Sequence, residues 1–131
     1  MPLRVQVVTP EREVQVCDDA TFVLAHGIEG DLGILPGLAP TLIALGLGPL
    51  EIEHEGGARD AMLVDGGFLQ VKDNNVIVLA EYAVLPSELS AAEVSAEVED
   101  LRRRLQSEAD NEAVRKELLR AEAKHKMIRV G

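Results

Sequence analysis

Residues 29 to 40, Glu-Gly-Asp-Leu-Gly-Ile-Leu-Pro-Gly-Leu-Ala-Pro, constrain the fold more than any other stretch of the chain. Gly30, Gly33 and Gly37 can take positive φ, and Pro36 fixes φ near the value needed one step into a turn. Pro36-Gly37 therefore suits the centre of a type II turn, with glycine where the backbone goes left-handed. Leu32, Ile34 and Leu35 are apolar enough to be buried, so the segment reads as a tight corner between strands, not as a linker. A phosphate cradle would want a lysine and a serine or threonine beside its glycines, and Glu29 and Asp31 would repel the anion.

Short runs of β character surround this corner. Leu3, Val5 and Val7 alternate with Arg4, Gln6 and Val8 until Thr9-Pro10 stops them. Glu13 to Val16 and Thr21 to Ala25 read as two strands separated by Cys17-Asp18-Asp19. Thr41 to Leu45 and Leu50 to His54 follow, the latter alternating Leu50 and Ile52 with Glu51 and Glu53. Gly56-Gly57 is a hairpin signal, and Asp73-Asn74-Asn75 turns the last pair of strands. Ala61 to Val64, Phe68 to Val71 and Val76 to Ala80 complete an antiparallel β-sandwich or flattened barrel over residues 1–86.

Residues 87–131 change period. Val94, Val98, Leu101 and Leu105 step 4-3-4 along one helical stripe, and Ser90 with Glu93 forms a capping-box signature at its start. After a break at Ser107 to Asn111, Val114, Leu118 and Ala121 give a second stripe. The spacing predicts an antiparallel two-helix hairpin with alanines at its seam. Burying only narrow stripes, the hairpin should be the less stable part and able to leave a docking site.

Charge divides the chain at the same place. Thirteen acidic and four basic residues lie in 1–87, against ten and nine in 88–131. The net charge of −10 argues against nucleic-acid binding, and 2% aromatic content leaves little to stack on bases. No run approaches a membrane span and no signal peptide is expected, so membrane association should come only through protein partners. The single cysteine, Cys17, reads as a small apolar strand residue. His26, His54 and His125 are scattered and read as surface or cap histidines, with no metal-ligand spacing among them. No serine lies in a nucleophile elbow, and no catalytic, cofactor or metal residues are assigned. Asp18-Asp19 and Glu51/Glu53/Glu55 read as solvated strand edges. The bases Arg102, Arg103, Arg104, Arg115, Lys116, Arg120, Lys124, Lys126 and Arg129 read as a solvated helix face through Glu99/Arg103, Asp100/Arg104, Glu112/Lys116 and Glu122/Lys126 pairs, or as a face for an acidic partner.

Three motifs in order carry a resemblance: Gly30-Asp31-Leu32-Gly33-Ile34 running into Pro36-Gly37-Leu38-Ala39-Pro40, then Gly66-Gly67-Phe68-Leu69-Gln70-Val71, then Val76-Ile77-Val78-Leu79-Ala80-Glu81. The series resembles the epsilon subunit of the F-type ATP synthase from about Val5 to Val130. The resemblance implies a non-catalytic central-stalk subunit whose sandwich binds the gamma subunit and rests on the c-subunit ring, coupling rotation to ATP synthesis. It implies ring contacts at Glu29, Asp31 and Leu38, the last a departure from the family's histidine, and gamma contacts at Thr9 and Ile43. It further implies a hairpin whose basic residues, when extended, meet an acidic segment of the beta subunit and stop ATP hydrolysis. The expected location is the cytoplasmic face of a bacterial inner membrane, or the stromal face of a thylakoid. Some relatives bind ATP through Ile/Leu-Asp-x-x-Arg-Ala, but Ser90 and Glu93 here replace the Asp and Arg. A like-charge contact at about 4 Å costs about 4 kcal/mol at an effective dielectric near 20, so no useful ATP binding is expected. The alternative reading is a free-standing β-sandwich binding module with a helical dimerisation arm.

Overall fold

The computed structural model describes residues 1–130, with side chains through Ile128. The chain divides into two units, Met1–Leu85 and Pro86–Gly131.

The first unit holds seven strands: β1 (Leu3–Val8), β2 (Glu13–Gly27), β3 (Gly30–Ile34), β4 (Thr41–Ala44), β5 (Leu47–His54), β6 (Arg59–Lys72) and β7 (Asn75–Val84). The pairings run β1-β7-β6-β5-β2 and close again from β2 to β1, with β3 on the free side of β2 and β4 on β6. This is the expected flattened barrel. One pair departs from antiparallel order, because β1 runs parallel to β7 from Arg4↔Asn75 to Val8↔Leu79. The departure is topological: strand direction cannot alternate all the way round a closed ring of five strands, so one neighbouring pair must be parallel.

Two predicted breaks are also corrected. Glu13–Val16 and Thr21–Ala25 are halves of the continuous β2, and Ala61–Val64 and Phe68–Val71 are halves of β6. Each long strand changes partner midway. β2 pairs with β1 up to Ala20 and with β5 from Ala20 onward, and register shifts mark the change. β6 changes from β5 to β4 at Gly66-Gly67, both at positive φ. Such irregularities let a strand bend from one layer of a sandwich to the other. Polar or glycine residues at both bends disguise them as loops in the sequence.

Alternation then fills the interior. Leu3, Val5 and Val7 from β1, Leu50 and Ile52 from β5, Leu69 and Val71 from β6, and Val76 and Val78 from β7 are buried in one core. The core is aliphatic, as the composition requires. In the corner, Leu38 N–H donates to the Leu35 carbonyl at 3.3 Å, and Gly37 has φ of 89°, as a type II turn over Pro36-Gly37 demands. Leu35, expected inside, is instead exposed at the start of that turn.

The second unit opens with a 3-10 turn, Pro86–Glu88, followed by α1 (Ala91–Ser107) and α2 (Glu112–Val130). Ser90 Oγ accepts from Glu93 N–H at 3.4 Å and caps α1. Asn111 Oδ1 accepts from Ala113 and Val114 N–H at 3.1 and 3.2 Å and caps α2. Val94, Val98 and Leu101 meet Val114, Leu118 and Ala121 in a small separate core. Among the described residues, no helix is long and apolar enough to cross a membrane.

Candidate functional site

Two surfaces of the first unit present residues that folding alone does not account for. The first is the outer side of the sheet formed by β2, β1, β7, β6 and β4. Register places Val8, Leu79, Phe68 and Ala44 in one row across four strands. A second row holds Val16, Gln6, Ile77, Gln70 and Leu42. Leu42 is 67% exposed, Phe68 55% and Leu79 57%. Three large apolar side chains on one open sheet face mark an interaction surface more strongly than the same residues scattered singly. Thr9 and Ile43 border this surface but do not project from it. Thr9 is buried and exchanges hydrogen bonds of 3.3 Å with Arg12, while Ile43 packs against the core. With side chains alternating along β4, the outward residue there is Leu42.

The second surface is the edge strand β3 with its two flanking turns. Ile28-Glu29 forms the tip of the β2–β3 hairpin, closed by Gly27↔Gly30. Ile28 is mostly exposed, and its N–H donates to the Ala44 carbonyl at 3.0 Å, fixing the tip to the end of β4. His26 lies opposite Asp31, with Nδ1 2.7 Å from Asp31 Oδ1. At the other end, Gly37 N–H donates to Asn74 Oδ1 at 2.7 Å, tying the Leu35–Leu38 turn to the β6–β7 hairpin. Glu29 and Asp31 lie at the start of β3 and the Leu38 turn beyond its end, with Asp31 about 13 Å from Leu35 along the strand at 3.3 Å per residue. The three residues share an edge, not a point. Of the most exposed apolar groups of this edge, Ile28 has no distinguishing signal in the sequence and Leu35 reads there as buried, since glycines break the period.

On the hairpin, the basic residues are distributed around the helices. Arg102, Arg103 and Arg104 are successive, about 100° apart at 3.6 residues per turn, so no single face holds all three. Arg102 reaches across to Glu122 at 2.9 Å, Arg103 faces Asp100 at 3.8 Å and Arg104 faces Glu108 at 3.8 Å. Arg115 lies 3.8 Å from Glu112, and Lys124 crosses to Glu97 at 3.5 Å. Arg103, Arg104 and Glu112 thus pair with near neighbours other than the expected Glu99, Asp100 and Lys116, and Glu122 pairs with Arg102 of the opposite helix. Lys116, Arg120 and Lys126 also lie on α2, whereas the Arg129 side chain falls outside the described residues.

A third cluster lies where β2 changes partner. His54 keeps only 12% of its side-chain surface exposed, with Nδ1 2.7 Å from Asp19 Oδ1 and Nε2 2.6 Å from Asp60 Oδ2. Gln15 Nε2 donates to the same Asp60 oxygen at 3.0 Å. The bond to Asp19 raises the His54 pKa against the opposing effect of burial, and Asp60 adds to the rise. Gln15 and then His54 lower that of Asp60. Burial, then the Asp19 charge, raises the Cys17 thiol. His54 is therefore a clamped side chain and not the surface histidine expected from sequence, and Asp19 and Asp60 are its partners. Asp19 lies 35 residues away in sequence and Asp60 six, across the β5–β6 hairpin, so no ligand-type spacing in the sequence reveals the cluster.

Comparison with known proteins agrees with this architecture. Residues 2–86 match the family described as the ATP synthase delta/epsilon chain, beta-sandwich domain. An ATP synthase epsilon chain from Pelotomaculum thermopropionicum is 41% identical over 93 residues, 71% of this chain and 68% of that one. An ATP synthase epsilon chain from Frankia casuarinae is 45% identical over 85 residues, 65% of this chain and 99% of that one. A chain in the cryo-EM structure of Euglena gracilis mitochondrial ATP synthase, containing OSCP, F1 and c-ring in rotational state 1, matches with a TM-score of 0.73 and 26% identity. That match covers 94% of this chain and 74% of the other. With its sandwich matched almost end to end and its relatives so named, the chain belongs to the ATP synthase epsilon family.

Proposed function

We propose that this chain is a non-catalytic joint of the rotary motor, transmitting torque between the c-subunit ring and the central shaft on the cytoplasmic side of the membrane. The single observation that carries the reading is the open apolar sheet face of Leu42, Phe68 and Leu79, on a unit whose acidic surface otherwise favours solvation. In this reading the gamma subunit covers that face, with Thr9 and Ile43 supporting it from the rim and from beneath. The β3 edge meets the ring through Glu29, Asp31 and the Leu38 turn, joined by Ile28 and Leu35. Apolar side chains at the tips would supply adhesion, and the carboxylates orientation.

The hairpin is assigned to control. Its exposed ion pairs are each worth about 0–1 kcal/mol, so an acidic segment of the beta subunit could replace the internal carboxylates at little cost. Arg102, Arg103, Arg104 and Arg115, each paired to a carboxylate yet substantially solvent-exposed, are candidates for such an exchange.

The shaft contact is tested with Phe68→Asp in the full chain assembled with the other subunits. The residue lies outside the core, so the sandwich should fold while retention on the shaft falls tenfold or more. Glu55→Gln, at the remote β5–β6 hairpin, should leave retention unchanged. Full retention of the Phe68 variant would refute the assignment of this face.

A further inference from the structure

We propose that Cys17, Asp19 and His54 form a binding site for a zinc-like divalent transition metal. Their donor atoms, Sγ, a carboxylate oxygen and a ring nitrogen, all lie within 4.8 Å of one another. A tetrahedral zinc ion places its ligands about 3.5 Å apart, given bonds of roughly 2.0–2.3 Å, so modest side-chain adjustment closes the set. Asp19 has room for that adjustment, with nearly half its side-chain surface in solvent. Thiolate, imidazole and carboxylate together suit zinc better than magnesium or calcium, which take oxygen ligands.

The surroundings are arranged as a metal-ligating histidine requires. His54 would bind through Nδ1, the nitrogen facing Asp19, while Nε2–H continues to donate to Asp60 at 2.6 Å. Asp60 is itself held by Gln15 at 3.0 Å. This carboxylate behind the imidazole fixes the ring and raises its basicity toward the metal. The backbone contributes too. Two register shifts of β2 fall within and just after this segment, one between Cys17 and Ala20, the partners of Val5 and Leu3, and one between Ala20 and Phe22. They bring Cys17 and Asp19 of β2 against His54, whose Cα partner is Ala20. With three protein ligands, the fourth position falls to water on the exposed Asp19 side.

A divalent ion would take Cys17 as thiolate and Nδ1 without its proton, so binding displaces the protons those donors carry and strengthens as pH rises. The ion would staple β2 to β5 at the bend where the barrel turns its corner. The proposal does not depend on the rotor reading, and its test needs no other subunit.

The reduced full chain is titrated with Co(II), whose bond to a thiolate produces a near-ultraviolet charge-transfer band. Cys17 is the chain's only cysteine, so the band can have no other source. It should saturate at one equivalent and disappear on adding Zn(II). Cys17→Ser should abolish the band and weaken Zn(II) binding against a chromophoric chelator. Asp60→Asn should keep the band while lowering affinity by about 10-fold to 100-fold. Absence of the band from the unaltered chain, or Zn(II) affinity unchanged by Cys17→Ser, would overturn the site whatever the variants' stability.

Discussion

At the scale of single residues, His54 is the group whose protonation matters most to the sandwich. Without metal, both ring nitrogens face carboxylates, which accept but do not donate, so the folded state favours the imidazolium. A raised folded pKa means that its stabilisation is complete below the ordinary value of 6.5 and lost as pH rises through the folded value. Asp60 has the opposite sign: its contribution is present above 3.8 and lost as pH falls through its depressed value. The cluster should therefore stabilise most between pH 3.8 and 6.5. In chelator, His54→Asn should cost about 1.5 kcal/mol near pH 5.5, the scale of hydrogen bonds to charged groups, and markedly less near pH 9. Denaturant titration at both values checks this, and a penalty independent of pH would contradict it. Gly67 makes a separate case. With φ of 111°, a Cβ there would lie 2.1 Å from the Leu79 carbonyl oxygen, a backbone clash that no rotamer relieves. Gly67→Ala should cost about 3 kcal/mol or more, whereas Gly56→Ala, at φ of 89° with open space around it, should cost about 1 kcal/mol.

At the scale of elements, the hairpin and the barrel have unequal support. Among the described residues the hairpin core holds six buried side chains, the largest being Leu101 and Leu118, with Leu89, Leu105 and Ile128 partly buried against it and ion pairs such as Arg102–Glu122 at its surface. Leu101→Ala should remove about 3 kcal/mol, a typical loss for a buried leucine, and that is a large share of so small a core. Hydrogen exchange should then show α1 and α2 amides losing protection while those of β6 and β7 keep theirs; equal loss in both would make the two units one cooperative structure. These helices were legible because every signal in them is local: the 4-3-4 stripe, Ser90 before Glu93, and the break before Asn111. The Pro36-Gly37 turn was legible for the same reason. The continuity of β2 was not, because Cys17-Asp18-Asp19 has the composition of a loop and is held in line by β1 and β5, which are distant in sequence. Likewise Phe68 and Leu79 lie in apolar strand runs in which nothing local marks the outward side. Only the register with β4 and β1 shows that they point outward together, and only the closed ring requires one parallel pair.

At the scale of the whole molecule, the proposed division of labour follows the division of structure. The apolar face and the β3 edge both belong to the unit ending at Leu85, and the family match ends at residue 86. The matched 85 residues of the Frankia chain are 99% of its length, so an epsilon chain about as long as this sandwich exists. Torque transfer should therefore need only the sandwich, and restraint of hydrolysis the hairpin. Ending the chain after Pro86 removes every basic residue of α1 and α2 while leaving both proposed contact surfaces of the sandwich intact. In the assembled complex the shortened chain should be retained normally, and proton-driven ATP synthesis should persist. ATP hydrolysis, measured with the proton gradient dissipated, should rise severalfold as the brake is lost. Reversing Arg102, Arg103, Arg104 and Arg115 to glutamate in the full chain should reproduce that rise, because like charges would then face the acidic segment. Failure of the shortened chain to join the complex would place an essential contact on the hairpin. Unchanged hydrolysis would remove the brake and leave the joint, since a rigid coupling between ring and shaft does not depend on what the arm does.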